Sequence, residues 1–351
     1  MARTDRPSTL HDVARLAGVS YQTVSRVING HPSVAESTRK SVVAAIEALQ
    51  YHPNPMARGL ATSRSTTLGV VSFGTRFYGP SQMLLHIEAA AKERGYAVMP
   101  VSIASLQAEE IRAALRQLKR YRVDAMLLIA PTRGAVVERA AELAGNTPLL
   151  VVDAASPGEL SSVTIDQAAG AALATTHLIS LGHTRVANIS GPLSWNDAYL
   201  RYQAWAQTLL DHGLEVGPSL PGDWSAAGGY EAARALIQSG AEFSALQVGN
   251  DQMAIGALLA LDQAGIRVPE DVSVVGFDDI PEAAYLQPPL TTVRQDFSLL
   301  GVRCVELLVE EIGRSELPPV AETIQPSLVL RQSAAPCAAP KSVHSQSGRI
   351  S

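Results

Sequence analysis

Two sets of side chains in this 351-residue sequence have the types and spacing to recognise another molecule. The first is Tyr21, Gln22 and Arg26, inside GVSYQTVSRVING at 18–30. A Gln amide bonds bidentately to adenine, and an Arg guanidinium to guanine O6 and N7. Tyr adds a hydroxyl and a ring face. Val24 and Val27 form an apolar stripe among them, so a helix here turns its valines inward and its three polar groups outward. Such a face suits a DNA major groove better than a protein core. The second set is Asp153, Arg201, Trp224, Asn250, Asp278 and Gln295. Arg201 can fork onto two neighbouring hydroxyls. Trp224 offers a flat apolar face to a ligand. Asp153, Asn250 and Asp278 each end a predicted strand, where ligands of α/β proteins gather, and Gln295 falls in a crossover between two such halves.

The elements that must hold these residues follow from the apolar pattern. In TLHDVARLA (9–17), Leu10, Val13, Ala14 and Ala17 recur at helical spacing, Thr9 and Asp12 suit a capping box, and Gly18 supplies the positive φ that stops the helix. Ser20 then caps a helix over about 21–28, broken by Asn29-Gly30. A third helix starts after Ala35-Glu36, runs to about Gln50 and buries Val42, Val43, Ile46 and Leu49. Three short helices with a tight first turn make a helix-turn-helix. The stretch 51–65 carries Pro53 and Pro55, leaves room for only two helical turns and reads as a conditional linker. From Thr67 strands and helices alternate. LGVVSF, AVMPVSI, DAMLLIA and PLLVVDA form one series of buried parallel strands; RVANISG, SALQVGN and VSVVGF form a second. The tail 333–351 (SAAPCAAPKSVHSQSGRIS) is low in complexity and is expected to be disordered.

Bulk properties narrow the classes. Net charge is −5, but residues 1–65 hold eight Lys/Arg against four acids, while the remainder holds 20 against 29. A basic head on an acidic body points the head at a polyanion. Two cysteines, Cys304 and Cys337, build no disulfide framework and suit a reducing cytoplasm. The N-terminus lacks an export h-region, and no run reaches the roughly 18 apolar residues of a membrane span. No H-E-x-x-H, G-x-S-x-G, P-loop or Cys/His metal spacing occurs, so neither an enzyme nor a metal or other cofactor is expected. The eight histidines are scattered, and His183 in LGHTR reads as a helix-end cap.

Seven segments in order carry a family resemblance: TLHDVARLAGVSYQTVSRVING, NPMARGLA, GPLSW with LRYQAW, GDWSAAGGY, NDQMAIGAL, VPEDVSVVGFDDIP and PPLTTVRQDFSLLG. Over about residues 9–332 the chain resembles the LacI/GalR family of transcriptional repressors, and within it the lac repressor branch. The resemblance implies an all-α helix-turn-helix head (1–50), a hinge helix and linker (51–65), and an α/β two-lobe body with parallel sheets, like type I periplasmic binding proteins (66–332). Lobe one would take about 66–164 and 296–324, lobe two about 165–293 and 325–332.

The same resemblance assigns roles. Tyr21, Gln22 and Arg26 fall on base-reading positions, and Thr23, Ser25, Asn29 and Thr38 on phosphate-contacting ones. Leu60, with Ala57 beside it, falls where a hinge leucine wedges into a central C-G step of the operator. Gly59 raises the cost of folding that hinge by up to about 1 kcal/mol relative to Ala. Asp153, Arg201, Trp224, Asn250, Asp278 and Gln295 match inducer contacts, and Phe297 an apolar wall. In FGTRFYGPSQ (73–82), Tyr78, Pro80 and Ser81 suit the site, whereas Phe73 replaces an expected small hydroxyl residue and either shrinks the pocket or adds a stacking face. The implied partners are double-stranded operator DNA, a second copy of the chain and a sugar that releases the DNA. A galactoside is the first choice, a glucoside or other oligosaccharide unit the second, and a purine co-repressor a distant third. Pro336 and Pro340 and the lack of heptads in the tail point to a homodimer rather than a tetramer.

Overall fold

A computed structural model describes residues 8–28, 31–51, 64–131, 136–153, 160–313 and 318–337. The chain divides into two compact units, Met1–Thr66 and Thr67–Ser351. The first contains α1 (Leu10–Ala17), α2 (Tyr21–Ile28) and α3 (Glu36–Ala48). At the start of α1 the Thr9 hydroxyl accepts from Asp12 N and the Asp12 carboxylate accepts from Thr9 N, which satisfies two otherwise orphaned amides. Gly18 ends the helix at φ +67°. Ser20 Oγ accepts from Thr23 N at the start of α2. Val13, Ala14, Val24, Val27, Val42, Ala45 and Tyr51 are packed as a small core. Val43 was expected inside but is exposed. It lies one residue, about 100° of helix turn, off the stripe formed by Val42, Ala45 and Ile46.

In the second unit two six-stranded sheets form two lobes. The first holds β1 (Thr67–Phe73), β2 (Ala97–Ile103), β3 (Ala125–Ile129), β4 (Leu149–Val152), β5 (Ser161–Ile165) and, late in the chain, β11 (Ala321–Ile324), in the order β11-β5-β4-β3-β1-β2. Helices α4 (Tyr78–Glu93), α5 (Ala108–Arg120), α6 (Val136–Ala144) and α11 (Phe297–Glu311) accompany it. All its pairings are parallel. The second holds β6 (Val186–Ser190), β7 (Ser219–Pro221), β8 (Ala245–Val248), β9 (Ser273–Asp278), β10 (Thr291–Arg294) and β12 (Ser327–Val329), in the order β12-β10-β9-β8-β6-β7. Its helices are α7 (Gln167–Ser180), α8 (Asn196–Asp211), α9 (Ala226–Gln238) and α10 (Asp251–Gln263). Only β12 runs antiparallel to its neighbour among the described strands. The chain passes between the lobes near Asp166, Gln295 and Gln325, so three crossovers join them.

Three sequence expectations need correction here. AVMPVSI does form β2, but as a part-exposed edge strand rather than a buried one. An edge tolerates Pro100, which has no amide to donate. The tail is not disordered from 333: although it forms neither helix nor strand, Ser333 is fully buried, accepts from Thr291 N at 2.8 Å and donates to Val274 O at 2.6 Å. Ala335 N donates to Ser273 Oγ, and Cys337 N to Leu181 O. Small residues fit a narrow slot by backbone pairing, a property low complexity conceals. Residues 338–351 lie outside the described residues. The His183 side chain does not cap a helix. Its ring bridges Ser244 Oγ, Ser273 Oγ and the Ala335 carbonyl, pinning the 333–337 segment, and burial lowers its pKa.

Candidate functional site

The head exposes one face of α2. Tyr21, Gln22 and Arg26 are exposed while Val24 and Val27 are buried. Tyr21 stacks on His11 with centroids 5.0 Å apart, which fixes its ring on the surface. Thr23, Ser25 and Thr38 are half-buried, and Thr23 Oγ1 shares a hydrogen bond with Ser20. Asn29, Ala57 and Leu60 lie outside the described residues.

In the body a cavity lies where the strand ends of the two lobes meet. Phe77, Tyr78, Gly79, Pro80 and Met83 line it from the first lobe; Trp195, Asp197, Arg201, Trp224, Asn250, Asp278 and Gln295 line the rest. These come from the segments following β1, β6, β7, β8 and β9 and from one crossover, the carboxyl-end placement expected of α/β sheets. The free space is only about 30 Å³, room for one or two waters. A ligand of sugar size enters only if the aromatic side chains or the lobes move.

Arg201 organises the floor. Its Nε donates to Gln167 Oε1 at 2.9 Å, Gln167 Nε2 to Gln295 Oε1 at 3.0 Å, and Gln295 Nε2 to Asp278 Oδ1 at 2.6 Å. Arg201 Nη1 closes the ring 3.7 Å from Asp278 Oδ1 and donates to Gly249 O. The guanidinium lies 3.6 Å from the Phe277 ring centroid and 5.5 Å from that of Trp224. A planar, weakly hydrated cation is suited to such a buried, stacked position. Burial pushes the Asp278 carboxyl up to about 6, against the opposing pull of Arg201. Burial also raises Asp153 and Asp197, and it raises the Tyr78 phenol to about 12 with help from Asp278.

Backbone strain concentrates at the same place. Asp153, Trp224 and Asp278 adopt φ of +63°, +72° and +114°, in a region non-glycine residues rarely occupy. Two polar atoms on the lining, Asp197 Oδ1 and Trp224 Nε1, are buried with no hydrogen-bond partner among the described residues. An acceptor and a donor therefore stand ready for a ligand.

Seven residues singled out in the sequence line the cavity: Tyr78, Pro80, Arg201, Trp224, Asn250, Asp278 and Gln295. The Asn250 amide is already committed, accepting from Met253 N as the α10 cap and donating to Trp224 O. Phe73, Asp153 and Phe297 lie behind the lining. Phe73 neither narrows the cavity nor offers it a face but buttresses Trp195, with centroids 5.3 Å apart. Phe297 packs edge-on against Tyr78 in the first-lobe core rather than forming a wall. Ser81 turns its hydroxyl back to the Tyr78 carbonyl. Sequence reasoning missed Phe77, Trp195 and Asp197 as lining residues and Gln167 as the bridge. Asp197 stands four residues before Arg201, on the same face of α8, so the strand-end rule could have found it. Trp195 meets Trp224 at 5.9 Å and Phe77 at 5.3 Å, giving the cavity an aromatic corner.

Comparison with known proteins agrees with this architecture. Residues 9–54 match the model described as bacterial regulatory proteins, lacI family, and residues 175–334 match a periplasmic binding protein-like domain. The chain is 37% identical over 307 residues to the lactose operon repressor of Escherichia coli (strain K12), covering 87% of this chain and 85% of that protein. It resembles the crystal structure of the lac repressor dimer bound to operator and the anti-inducer ONPF, with TM-score 0.88, 34% identity, 94% of this chain and 100% of that one covered. It also resembles the complex of the transcriptional regulator CelR with cellobiose, with TM-score 0.71, 32% identity, 93% and 100% covered. With its helix-turn-helix head and two-lobed, parallel-sheet body, this chain belongs to the lacI family of bacterial DNA-binding regulators.

Proposed function

We infer that this chain is a cytoplasmic, sugar-responsive transcriptional repressor that binds a pseudo-palindromic operator as a homodimer and is released by a glycoside held between its lobes. The observation that carries the DNA half is the α2 face, where three base-reading side chain types are exposed over a buried valine stripe. Two half-sites need two such heads. Leu259 and the 89%-exposed Tyr285 leave apolar surface uncovered on the second lobe, as a dimer requires. Release is a two-state coupling: the sugar favours a lobe arrangement in which the paired heads fit the operator less well.

A galactoside is the first reading for the effector, by likeness to the lactose operon repressor. A β-glucoside is the second, favoured by the Trp195–Phe77 corner beside Trp224 and by the relative that holds cellobiose. Gluco-configured rings present apolar C–H groups on both faces and so suit two aromatic surfaces.

Substituting Gln22→Ala tests the head. Loss of a bidentate base contact is expected to weaken operator binding by roughly 10- to 100-fold, about 1–3 kcal/mol, and to leave binding to a scrambled duplex unchanged. Equal weakening on both duplexes, measured by gel shift, would show that Gln22 does not read sequence.

A further inference from the structure

On the head, one side chain outside α2 is tied to the base-reading types. His11, the second residue of α1, lies against Tyr21, the first of α2, with ring centroids 5.0 Å apart and planes 28° from parallel. Both residues are exposed. Neither nitrogen of the His11 ring has a hydrogen-bond partner among the described residues. This imidazole therefore fills no core and caps no helix, and its contact with Tyr21 is left to account for its place. A tyrosine opening a surface helix has several staggered side-chain positions open to it. A ring laid against it selects one before DNA arrives, which lowers the ordering cost of binding.

We propose that His11 is a positioning residue for base reading, which holds the Tyr21 ring by stacking and takes up a proton when the head meets DNA, so that operator affinity rises as pH falls. The proposal rests on the reading of α2 as the DNA-facing helix. Imidazole is the side chain that ordinarily changes charge in the neutral range. Phosphates surround a bound head with negative potential, which favours the charged form. An imidazolium is also held more strongly on a phenol face than a neutral ring. Each head takes up as much as one proton, and affinity gains up to about tenfold per pH unit for each proton taken up. The gain is complete at acid pH and is lost as pH rises through the range where the DNA-bound imidazole gives up its proton.

Other charges of the three helices are accounted for. On α1, Arg15 stands one turn beyond His11, and Asp12, whose carboxylate accepts from the Thr9 amide and hydroxyl, lies 3.6 Å from Arg15. On α2, Arg26 is exposed beside Tyr21 and Gln22. On α3, Arg39 lies 4.0 Å from Glu36 and donates to the His31 carbonyl, and Lys40 and Glu47 complete the set. The head thus holds cations and acids already set against each other, and the charge that arrives with the operator is that of the phosphates. His31, a second histidine of the described head, is engaged by Ser33, whose amide donates to its Nδ1 at 3.3 Å. It serves as the comparison.

The test uses the full chain, a labelled symmetric operator with a central C-G step and a scrambled duplex, with affinity measured at constant salt from about pH 6 to about pH 8. Operator affinity is expected to fall by about fivefold or more over that range. His11→Phe keeps a ring on Tyr21 but cannot titrate, so it should bind at pH 8 within about threefold of the parent and lose most of the pH slope. His11→Ala loses the slope and the stack together, and it should also bind more weakly than His11→Phe at pH 8 and discriminate less between operator and scrambled duplex. Histidine-selective carbon NMR follows the ring directly: the signal missing from His11→Phe should turn to imidazolium when operator is added at neutral pH. An unchanged slope in His11→Phe, a slope that disappears in His31→Gln instead, or an imidazole signal indifferent to operator would overturn the proposal. If the operator binds no better than the scrambled duplex, the base-reading assignment fails and the linkage with it, whereas selective binding with no pH slope keeps that assignment and sinks the linkage alone.

Discussion

Replacing Arg201 with alanine is expected to cost the two-lobed body about 3–5 kcal/mol of stability, the usual penalty for leaving a buried charge uncompensated. The substitution removes the cation that lies against Asp278 and opens the ring through Gln167 and Gln295 that ties the crossover to the second lobe. It also empties the space between Phe277 and Trp224. The cost depends on pH, and its sign follows from Asp278. Burial raises that carboxyl to about 6 in the folded state. Between about 3.9, the unfolded value, and 6 the native state binds more protons than the unfolded one, so this group's contribution to stability falls as pH rises through that window. Arg201 opposes the shift, and without it the window extends upward. The deficit of Arg201→Ala should therefore be larger at pH about 8 than at pH about 5.5. Urea unfolding at both pH values checks this, and a deficit independent of pH would show that lost packing rather than charge dominates. Effector response should be lost at every pH.

Substituting Gly256→Ala is expected to destabilise the second lobe by about 1–3 kcal/mol although alanine is the better helix former by up to about 1 kcal/mol. A Cβ at Gly256 would sit 1.8 Å from the Ala226 carbonyl oxygen and 2.6 Å from Tyr230 N. Both are backbone atoms, so no rotamer relieves the clash and α9 must move away from α10. Gly229 makes the reciprocal approach, its Cβ position lying 2.1 Å from Met253 O. The site feels that movement, because Asn250 caps α10 and binds the carbonyl of Trp224 just before α9. Thermal unfolding should show the loss, and effector affinity should fall with it. Full stability would mean that the two helices adjust without cost.

How much of this was legible in the sequence depended on how local the physics was. The Thr9–Asp12 capping box, Gly18 and the Val24/Val27 stripe are short-range features, and all three were readable. The long aliphatic runs gave β1, β3, β4, β6, β8 and β9 to within a residue or two. The later strands β10 (TTVR), β11 (AETI) and β12 (SLV) escaped because they are short and polar, and pairing with neighbours rather than pattern makes them strands. In the site, Arg201, Trp224, Asn250, Asp278 and Gln295 were legible through the strand-end rule and family likeness. Gln167 was not, since a glutamine on a helix gives no signal until the fold brings it between Arg201 and Gln295. Phe73 drew attention as a departure from the family pattern, but only packing shows that it supports Trp195.

The central claim is that operator and sugar compete through one molecule. The most direct test is fluorescence anisotropy of a labelled, symmetric operator with a central C-G step, titrated with the protein with and without a β-galactoside or β-glucoside. The account predicts tight, salt-sensitive binding that one of the glycosides weakens at least tenfold, as the counterion-release and two-state arguments require. Binding no tighter than to a scrambled duplex, with or without sugar, would contradict it.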